Sequence, residues 1–421
     1  MRFGTKNFLD YCFLLLIYLQ LAILEFFGLG QILNKIITFA LVVYMVFSFK
    51  KYWKTGIIFI VIIPCFYLLS CIFGESFDIG NVLSNFLMQF YPIIYVYYIV
   101  LLCKCRSNVI STCLDKGFWL FNGTMLINIV VLLMQIFVPF SINAVVDPDA
   151  VIDFYPDTIS GLFQYASTHI VCLFTIFIVI YDISYIKRIS KYYLRVLIVF
   201  LILALIVISL FIAIESDNKA LFLLLPISLF AYWISGNTGS LTKIQYFIAC
   251  AYAIFVVIYM LYSINVNFQI FLNKNFVNIF ELILNSSDLG SAANGSGERI
   301  SIIPYAFGEA STWLFGKGFG STYIYRSGYL AFHHFGQADF GSLLVLGGIW
   351  YLLIIICYYA ISFAEISGYR FANHTFDLFI GIILILICVA VYTQCFTRTN
   401  TIFSLVLIML AFRVRFTDHT I

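Results

Sequence analysis

Charge is what this sequence lacks. Only 10% of its residues are Asp, Glu, Lys or Arg, whereas soluble domains carry about 25%. A soluble fold in which 63% of the residues are hydrophobic could not cover its surface with polar side chains. The composition therefore excludes a soluble domain and predicts a polytopic membrane protein, with membrane lipid as a partner and no nucleic acid.

Patterns for disulfides, metal sites and internal repeats are also missing. None of the 11 cysteines falls in the two longest predicted loops, 139–168 and 267–340, and no C-x-x-C pair occurs. The histidines have no second His or Cys cluster beside them, so we expect no metal. No repeat relates the two halves of the chain, which disfavours a transporter with inverted repeats.

Long hydrophobic runs take the place of charge. Because a helix needs ~20 apolar residues to cross a bilayer, about twelve segments qualify as spans. They are 8–28, 32–49, 56–74, 82–103, 117–140, 168–186, 193–214, 219–235, 243–266, 340–364, 376–394 and 399–412. We predict an all-α fold with one transmembrane domain over residues 1–421 and span interiors nearly free of charge. The first run lacks an A-x-A-like cleavage site and is interpreted as a retained helix.

The basic residues predict the orientation. With the N-terminus inside, most of the 23 Lys and Arg residues face the cytoplasm and most of the 20 acids face outward. Both termini are then cytoplasmic. The outward cations are Lys35, Lys219, Lys274, Arg299, Lys317, Arg326 and Arg398.

Two long connections face outward in this orientation, and long loops are often functional. The smaller external loop, 139–168, is acidic. Its composition allows two interpretations: a loop exposed to solvent, or a divalent-cation site with oxygen ligands. The larger external loop, 267–340, is predicted to contain short helices around a small polar centre. In "ERISIIPYAFGEAS", Arg299, Ile303 and Ala306 share one helical face.

Several charged residues in these regions allow two interpretations. Lys219 in "IESDNKALF" is either an interfacial lysine paired with a nearby acid or a cation aimed into an outward cavity. Arg299 follows "GSGE"; its guanidinium suits phosphate or pyrophosphate, or a salt bridge to Glu298 or Glu309.

Two glycine-containing motifs close the larger loop. "GKGFG" (316–320) resembles a phosphate-cradling loop, but no strand precedes it, so a turn that brings the backbone close to another element is favoured. "HHFGQADFG" places His333, His334 and Asp339 at the outer start of a span, where histidine can act as a base or hydrogen-bond donor. The lone His169 is interpreted as structural.

The order of these motifs resembles the bacterial O-antigen polymerase (Wzy) and O-antigen ligase (WaaL) superfamily. The shared features are about twelve spans, a large late outer loop, "ESDNKALF", "SGER", "WLFGKGFG" and "HHFGQADFGSLLVLGGIWYLL". The resemblance covers roughly residues 210–360; the remainder matches only in hydropathy. Lys219 stands where the family often has arginine, and the His-His pair leaves two candidates for one histidine.

The resemblance implies a GT-C-like fold and an inverting glycosyltransferase in the bacterial inner membrane. The expected partner is an undecaprenyl-pyrophosphate-linked oligosaccharide, and a possible partner is a chain-length regulator protein. Polymerase is favoured; no metal, nucleotide or other cofactor is implied, because the donor carries its own leaving group. The expected catalytic residues are His334, Arg299 and Glu298, and the expected substrate-binding residues are Lys219, Lys317, Arg326, Arg398, Asp339 and His333.

Two alternatives remain open. A ligase of the same superfamily would move finished polymer to a lipid or protein acceptor. A flippase or other transporter for lipid-linked oligosaccharides would carry charges within its spans and repeated halves.

Overall fold

The computed structural model describes residues 5–21, 30–49, 53–73, 79–138, 159–163, 168–216, 220–235, 240–273, 303, 306–307, 310–320, 323–326, 329–332, 338–368 and 375–417. Within these residues the fold is helical, apart from one short β-hairpin. The all-α prediction is therefore confirmed in its main part, and the hairpin is an addition to it.

The helices before the larger external loop follow one another with short connections, except around the loop 139–168. They are α1 (Thr5–Leu19), α2 (Gly30–Ser48), α3 (Trp53–Phe73), α4 (Ile79–Cys105), α5 (Ser107–Lys116), α6 (Phe118–Phe137), α7 (Thr168–Ile186), α8 (Tyr192–Glu215), α9 (Ala220–Ile234) and α10 (Ser240–Ile264). A 3₁₀ turn, Gly161–Phe163, precedes α7.

The larger loop and the last helices complete the chain. They comprise α11 (Val266–Leu272), α12 (Ala310–Phe315), β1 (Tyr323–Arg326), β2 (Tyr329–Phe332), α13 (Asp339–Ser367), α14 (Thr375–Tyr392) and α15 (Thr399–Thr417).

Each predicted span overlaps one of the long helices. Among the described residues, 5 helices are long and apolar enough to cross a bilayer: Val82–Cys105, Phe118–Phe137, His169–Ile186, Tyr192–Glu215 and Asp339–Ser367. Shorter apolar helices are Asn7–Leu19, Leu33–Ser48, Val61–Ile72, Ala220–Ile234 and Phe376–Tyr392. The fold is that of a helical membrane protein, while the number of twelve spans and the GT-C-like arrangement stay predictions.

The core lies along α7, α13 and α15. In α7, 83% of the apolar stretch is buried, against 33% in α8. The last helix, α15, packs along α7, and α13 contacts α3, α12, α14 and α15. The most buried helices thus stand at the centre, and α8 exposes Phe200, Leu203 and Val207 at the surface that lipid would cover.

Polar contacts gather at one end of the bundle, which we call the basic end. Its cations are Lys104, Arg106, Arg188, Arg413 and Arg415. Arg106 donates to Asp10 of α1 and to Tyr44 of α2, which joins three helices. Burial alone would lower the pKa of the Arg106 guanidinium, but its hydrogen bonds to Asp10 and Tyr44 raise the pKa overall.

The other basic-end contacts link later helices. Lys104 Nζ lies 3.1 Å from Glu365 of α13, and Arg188 pairs with Asp115 of α5. Arg415 donates to the Tyr232 carbonyl of α9. If successive predicted spans cross the membrane in alternating directions, the helix ends that carry these residues all lie on the same side. The contacts are consistent with that arrangement.

The opposite end, which we call the loop end, carries Asn34, His169, Lys317, Asp339 and Arg398. Asn34 Nδ2 donates to Thr399 Oγ1 at 2.8 Å, and His169 Nε2 lies 3.1 Å from Thr401 Oγ1. The contact of His169 with α15 is consistent with the structural role predicted for it.

Two buried aspartates lie within the predicted spans, towards the basic ends of their helices. Asp10 in α1 and Asp182 in α7 are both 0% exposed. Asp10 is paired with Arg106, whereas Asp182 Oδ1 accepts only from Asn122 Nδ2, at 3.0 Å, and Asp182 Oδ2 has no hydrogen-bond partner among the described residues. Tertiary packing, which brings α1 to α4 and α6 to α7, makes these buried positions tolerable.

The larger external loop also departs from the sequence expectation of short helices alone. Besides α11 and α12 it contains the antiparallel pair β1 and β2, in which Arg326 is opposite Tyr329. "YIYR" and "YLAF" flank Ser-Gly, and β-formers on either side of a two-residue turn are a hairpin signal. That signal was in the sequence and was missed.

Candidate functional site at the loop end

Helix α13 is broken near its first third. Gly348 has φ 72° and ψ 176°, which is not a helical conformation. The break frees the carbonyls of Val345 and Leu346, which in a regular helix would accept from residues 349 and 350. Lys317 N–H donates to the Val345 carbonyl at 2.7 Å, and Gly318 N–H to the Leu346 carbonyl at 3.0 Å. Irregular backbone at membrane depth requires such internal partners.

Glycine is required on both sides of this contact. A Cβ on Gly316 (φ 80°) would lie 2.3 Å from the Leu346 carbonyl oxygen, and a Cβ on Gly348 would lie 2.4 Å from that of Leu314. The two backbones therefore touch directly. The interpretation of "GKGFG" as a turn that brings the backbone close to another element is confirmed by these contacts.

Phe319 fastens the same segment to the core. Its ring stacks on Tyr67 of α3 with centroids 4.2 Å apart and meets Tyr351 edge-on at 4.9 Å. Asn85 Nδ2 of α4 donates to the Phe319 carbonyl at 2.7 Å. Segment 314–320 is thus held by α3, α4 and α13, and its glycine-rich composition does not make it a free loop.

Asp339, the first residue of α13, is fully buried. Its carboxylate accepts from the backbone N–H groups of Phe396 and Thr397 and from Thr397 Oγ1, the last at 2.8 Å. Its own N–H donates to the Thr393 carbonyl at 3.2 Å. These contacts give Asp339 a positioning role in the connection between α14 and α15, and its predicted contact with substrate stays a prediction.

Two half-buried cations stand beside this frame. Arg398 follows directly on the segment that Asp339 holds, and its Nε donates to Gln394. Lys317 is anchored through its backbone to Val345, six residues after Asp339. Six helical residues rise ~9 Å, so the Lys317 backbone contacts α13 almost two turns beyond Asp339, the residue that holds the segment before Arg398. The structure thereby brings together three of the predicted site residues: Lys317, Asp339 and Arg398.

The structure does not test the positions of the remaining predicted site residues. Five lie outside the described residues: Lys219, Glu298, Arg299, His333 and His334. For Arg326 the backbone is described in β1, but the side chain is not. The acidic residues of 139–158 are also outside the described part. Their roles stay predictions.

Sequence reasoning overlooked several amides inside the apolar helices. Gln89 of α4 accepts from the Tyr351 hydroxyl of α13, beside Phe319. On α6, Asn128 Oδ1 accepts from Leu162 N–H and Gln135 Oε1 from Gly161 N–H, both at 2.8 Å. The available signal was the amides themselves, because polar side chains within spans usually face a protein partner.

Among the described residues, no group of three or more His, Cys, Asp and Glu side chains could hold a metal ion. What the described site offers is positive charge on a rigid frame, which can bind an anion and stabilise negative charge that develops on it.

The fold and this site define a polytopic helical membrane protein with cations fixed at one end. A scan against protein-family models, a search of curated proteins and a search of solved structures each find no match to this chain.

Proposed function

We propose that this protein is a membrane glycosyltransferase that polymerises lipid-linked repeat units of O-antigen or a related surface polysaccharide. The donor is a glycan on undecaprenyl pyrophosphate, and the acceptor is the non-reducing end of a second lipid-linked unit. The loop end faces the outer side of the bacterial inner membrane, and both termini face the cytoplasm. The resemblance of residues 210–360 to the polymerase and ligase superfamily supplies this chemistry.

One observation supports the proposal most directly: the backbone of Lys317 is bonded to Val345 of the broken helix α13, and Arg398 directly follows two residues whose N–H groups are bonded to Asp339 of the same helix. A pyrophosphate leaving group needs cations that are already in place when charge develops on it. Lys317 is held by the docked segment 314–320, and Arg398 by the connection that Asp339 fixes. Both cations therefore have their backbone positions set by hydrogen bonds to α13 or to residues that α13 holds.

The reaction requires one bond to form and one to break. The acceptor hydroxyl oxygen attacks the anomeric carbon of the donor sugar, and the bond from that carbon to the pyrophosphate oxygen breaks with inversion. The hydroxyl proton passes to a base, for which His334 is the expected residue and a carboxylate, Glu298 or Asp339, the alternative. Arg299, with Lys219, Arg326 and His333 as further substrate contacts, would complete the site from the external loops.

Gene deletion separates the polymerase from the ligase. We expect cells without this protein to display single repeat units on their surface acceptor, because transfer of one unit survives. A ligase would instead leave the acceptor without any unit. Complementation with the unchanged gene should restore the ladder of chain lengths seen after electrophoresis.

Variants test the site itself. Arg398→Ala and Arg299→Ala should each reduce polymer formation about 10²–10³-fold if they stabilise the leaving group. Lys35→Ala is the matched control, because Lys35 is an exposed cation on α2 at the same end of the bundle. Unchanged polymer length and yield with Arg299→Ala would refute the role of Arg299.

A purified-protein assay separates the enzyme from a transporter. The protein in detergent should lengthen an undecaprenyl-pyrophosphate-linked unit without any ion gradient. If the purified, folded protein gives no longer product but moves the lipid-linked unit across vesicle membranes, the transporter alternative holds. The buried Asp182 gives that alternative its one structural argument.

A further inference from the structure

A groove of about 310 Å³ opens on the side of the bundle, away from the candidate site. Its walls come from α1, α5, α6 and α15, with one residue of α4. It is lined mainly by apolar side chains, among them Leu14, Leu15, Leu120, Phe121, Phe403 and Leu407. The volume falls within the range of about 300–1,000 Å³ that is usual for ligand pockets.

The groove runs along the helices and not across them. Tyr11 and Tyr18 of α1 both line it, and seven helical residues rise ~10 Å. One end of the groove reaches Lys116 and Gly117, at the junction of α5 and α6. That junction is at the basic end, because Asp115 next to it pairs with Arg188.

The groove opens to the surroundings of the bundle between α1 and α6. Of its lining residues, Leu15 is 49% exposed and Leu120 is 45% exposed. The neighbouring Trp119 is 82% exposed. In a bilayer this opening faces lipid, so its contents are taken from the membrane and not from water.

Apolar shape alone selects no particular lipid, because acyl chains are as apolar as leucine. Selection needs the polar end of the groove. Lys116 is exposed there and has no ion pair among the described residues. The acid beside it, Asp115, is engaged with Arg188 and does not compete. An ammonium group at the mouth of an acyl-sized groove suits a lipid whose headgroup carries net negative charge.

We propose that this groove binds one acyl chain of an anionic phospholipid, with the headgroup phosphate at Lys116. Since a water molecule takes up about 30 Å³ of liquid, the groove holds roughly ten groups of that size. Methylene groups are similar in size, so most of one acyl chain fits. The bound lipid joins α1 to α6, and it is separate from the lipid-linked substrate proposed at the loop end.

The test is lipid retention by the full-length protein. The protein is purified from nanodiscs that contain equal amounts of phosphatidylglycerol and phosphatidylcholine, and retained lipid is measured by native mass spectrometry after detergent exchange. We expect one phosphatidylglycerol to stay bound. Lys116→Gln should weaken the preference for phosphatidylglycerol about fivefold, because one cation near a membrane surface contributes that much.

A second variant fills the groove without changing charge. Leu120→Trp places a larger ring at the half-exposed mouth and should abolish retention of the lipid. Leu197→Trp is its control, since Leu197 is 60% exposed on α8 and does not line the groove. Lys191→Gln controls for general loss of charge near the basic end. Equal retention in wild type and Leu120→Trp would overturn the proposal, as would an equal effect of Lys191→Gln and Lys116→Gln.

Discussion

Replacing Gly348 by alanine tests how the external segment is joined to the core. Gly348 lies in a backbone region that is essentially reserved for glycine, with φ 72° and ψ 176°, and a side chain there costs about 1–3 kcal/mol. The added Cβ would also lie 2.4 Å from the Leu314 carbonyl oxygen, so the segment 314–320 must move away. That movement breaks the hydrogen bonds of Lys317 and Gly318 to α13.

The magnitude follows from these contributions. Hydrogen bonds between elements within membranes average about 0.6 kcal/mol each, so two of them with the backbone strain give a loss of roughly 2–4 kcal/mol. A loss of that size lowers the midpoint of thermal unfolding by on the order of 5 °C. We would measure the fraction of monodisperse protein on gel filtration after heating in detergent.

Two comparisons make the result decisive. Gly123→Ala is the matched control, because Gly123 lies within α6 and nothing stands within 4 Å of the added Cβ; it should leave stability unchanged or raise it by up to about 1 kcal/mol. Gly316→Ala disrupts the same contact from the other side. The double change of Gly316 and Gly348 should therefore cost much less than the sum of the single changes. A Gly348→Ala protein as stable as wild type, or full additivity, would refute the docking argument.

Three further predictions concern other parts of the molecule. Arg106→Gln leaves the Asp10 carboxylate buried without its cation and should lower the free energy of unfolding by about 3–5 kcal/mol. Adding Asp10→Asn should restore part of that stability. Thermal unfolding measures both variants, and an Arg106→Gln protein as stable as wild type would contradict the buried ion pair. Burial raises the pKa of the Cys113 thiol to about 11, so the rate of its alkylation by iodoacetamide should rise about tenfold per pH unit from pH 7 to 10. Site-resolved mass spectrometry measures this rate, and a plateau by pH 9 would contradict the raised pKa. Asp339→Ala removes the acceptor of the Phe396 and Thr397 N–H groups and should lower the free energy of unfolding without substrate by about 1–3 kcal/mol; a variant that lost activity at full stability would instead make Asp339 a substrate contact.

The two proposed lipid contacts lie at opposite ends of the bundle. The groove near Lys116 is at the basic end, and the cations Lys317 and Arg398 are at the loop end. A retained phospholipid would stabilise the contact between α1 and α6 without touching the candidate site. Loss of activity in Lys116→Gln would therefore be indirect, and it should be accompanied by a lower unfolding midpoint.

Composition and hydropathy predicted much of the fold because membrane helices have few alternatives. Without water, backbone groups within a bilayer must bond within their own segment, so long apolar runs become helices. Each of the predicted spans overlaps a helix. The basic residues also predicted an orientation; contacts such as those of Arg106 and Arg188 show that several basic helix ends lie together, and the side of the membrane that they face stays a prediction.

The candidate site was less accessible to sequence reasoning. The motif "GKGFG" suggested close backbone approach, but its partner, the carbonyls of Val345 and Leu346, is a consequence of the break at Gly348. Two adjacent glycines in an apolar run are compatible with an unbroken helix as well as a broken one. The pattern predicted a substrate contact for Asp339, and only packing against the connection of α14 and α15 showed that its carboxylate also bonds within the fold; the substrate contact stays a prediction.

The sequence by itself determined that the chain is a helical membrane protein, where most of its helices lie, and which of their ends share a side, since these follow from local apolarity and from the distribution of charge. Only the tertiary structure decided that α13 is broken and contacted by the segment 314–320, that Lys317 and the residues before Arg398 are bonded to α13, that Asp182 is buried beside Asn122, and that α1 and α6 leave a groove between them. Those features depend on contacts between residues far apart in the chain, such as Asn85 with Phe319 and Asp339 with Phe396, and a pattern read along one segment does not contain the partner on another.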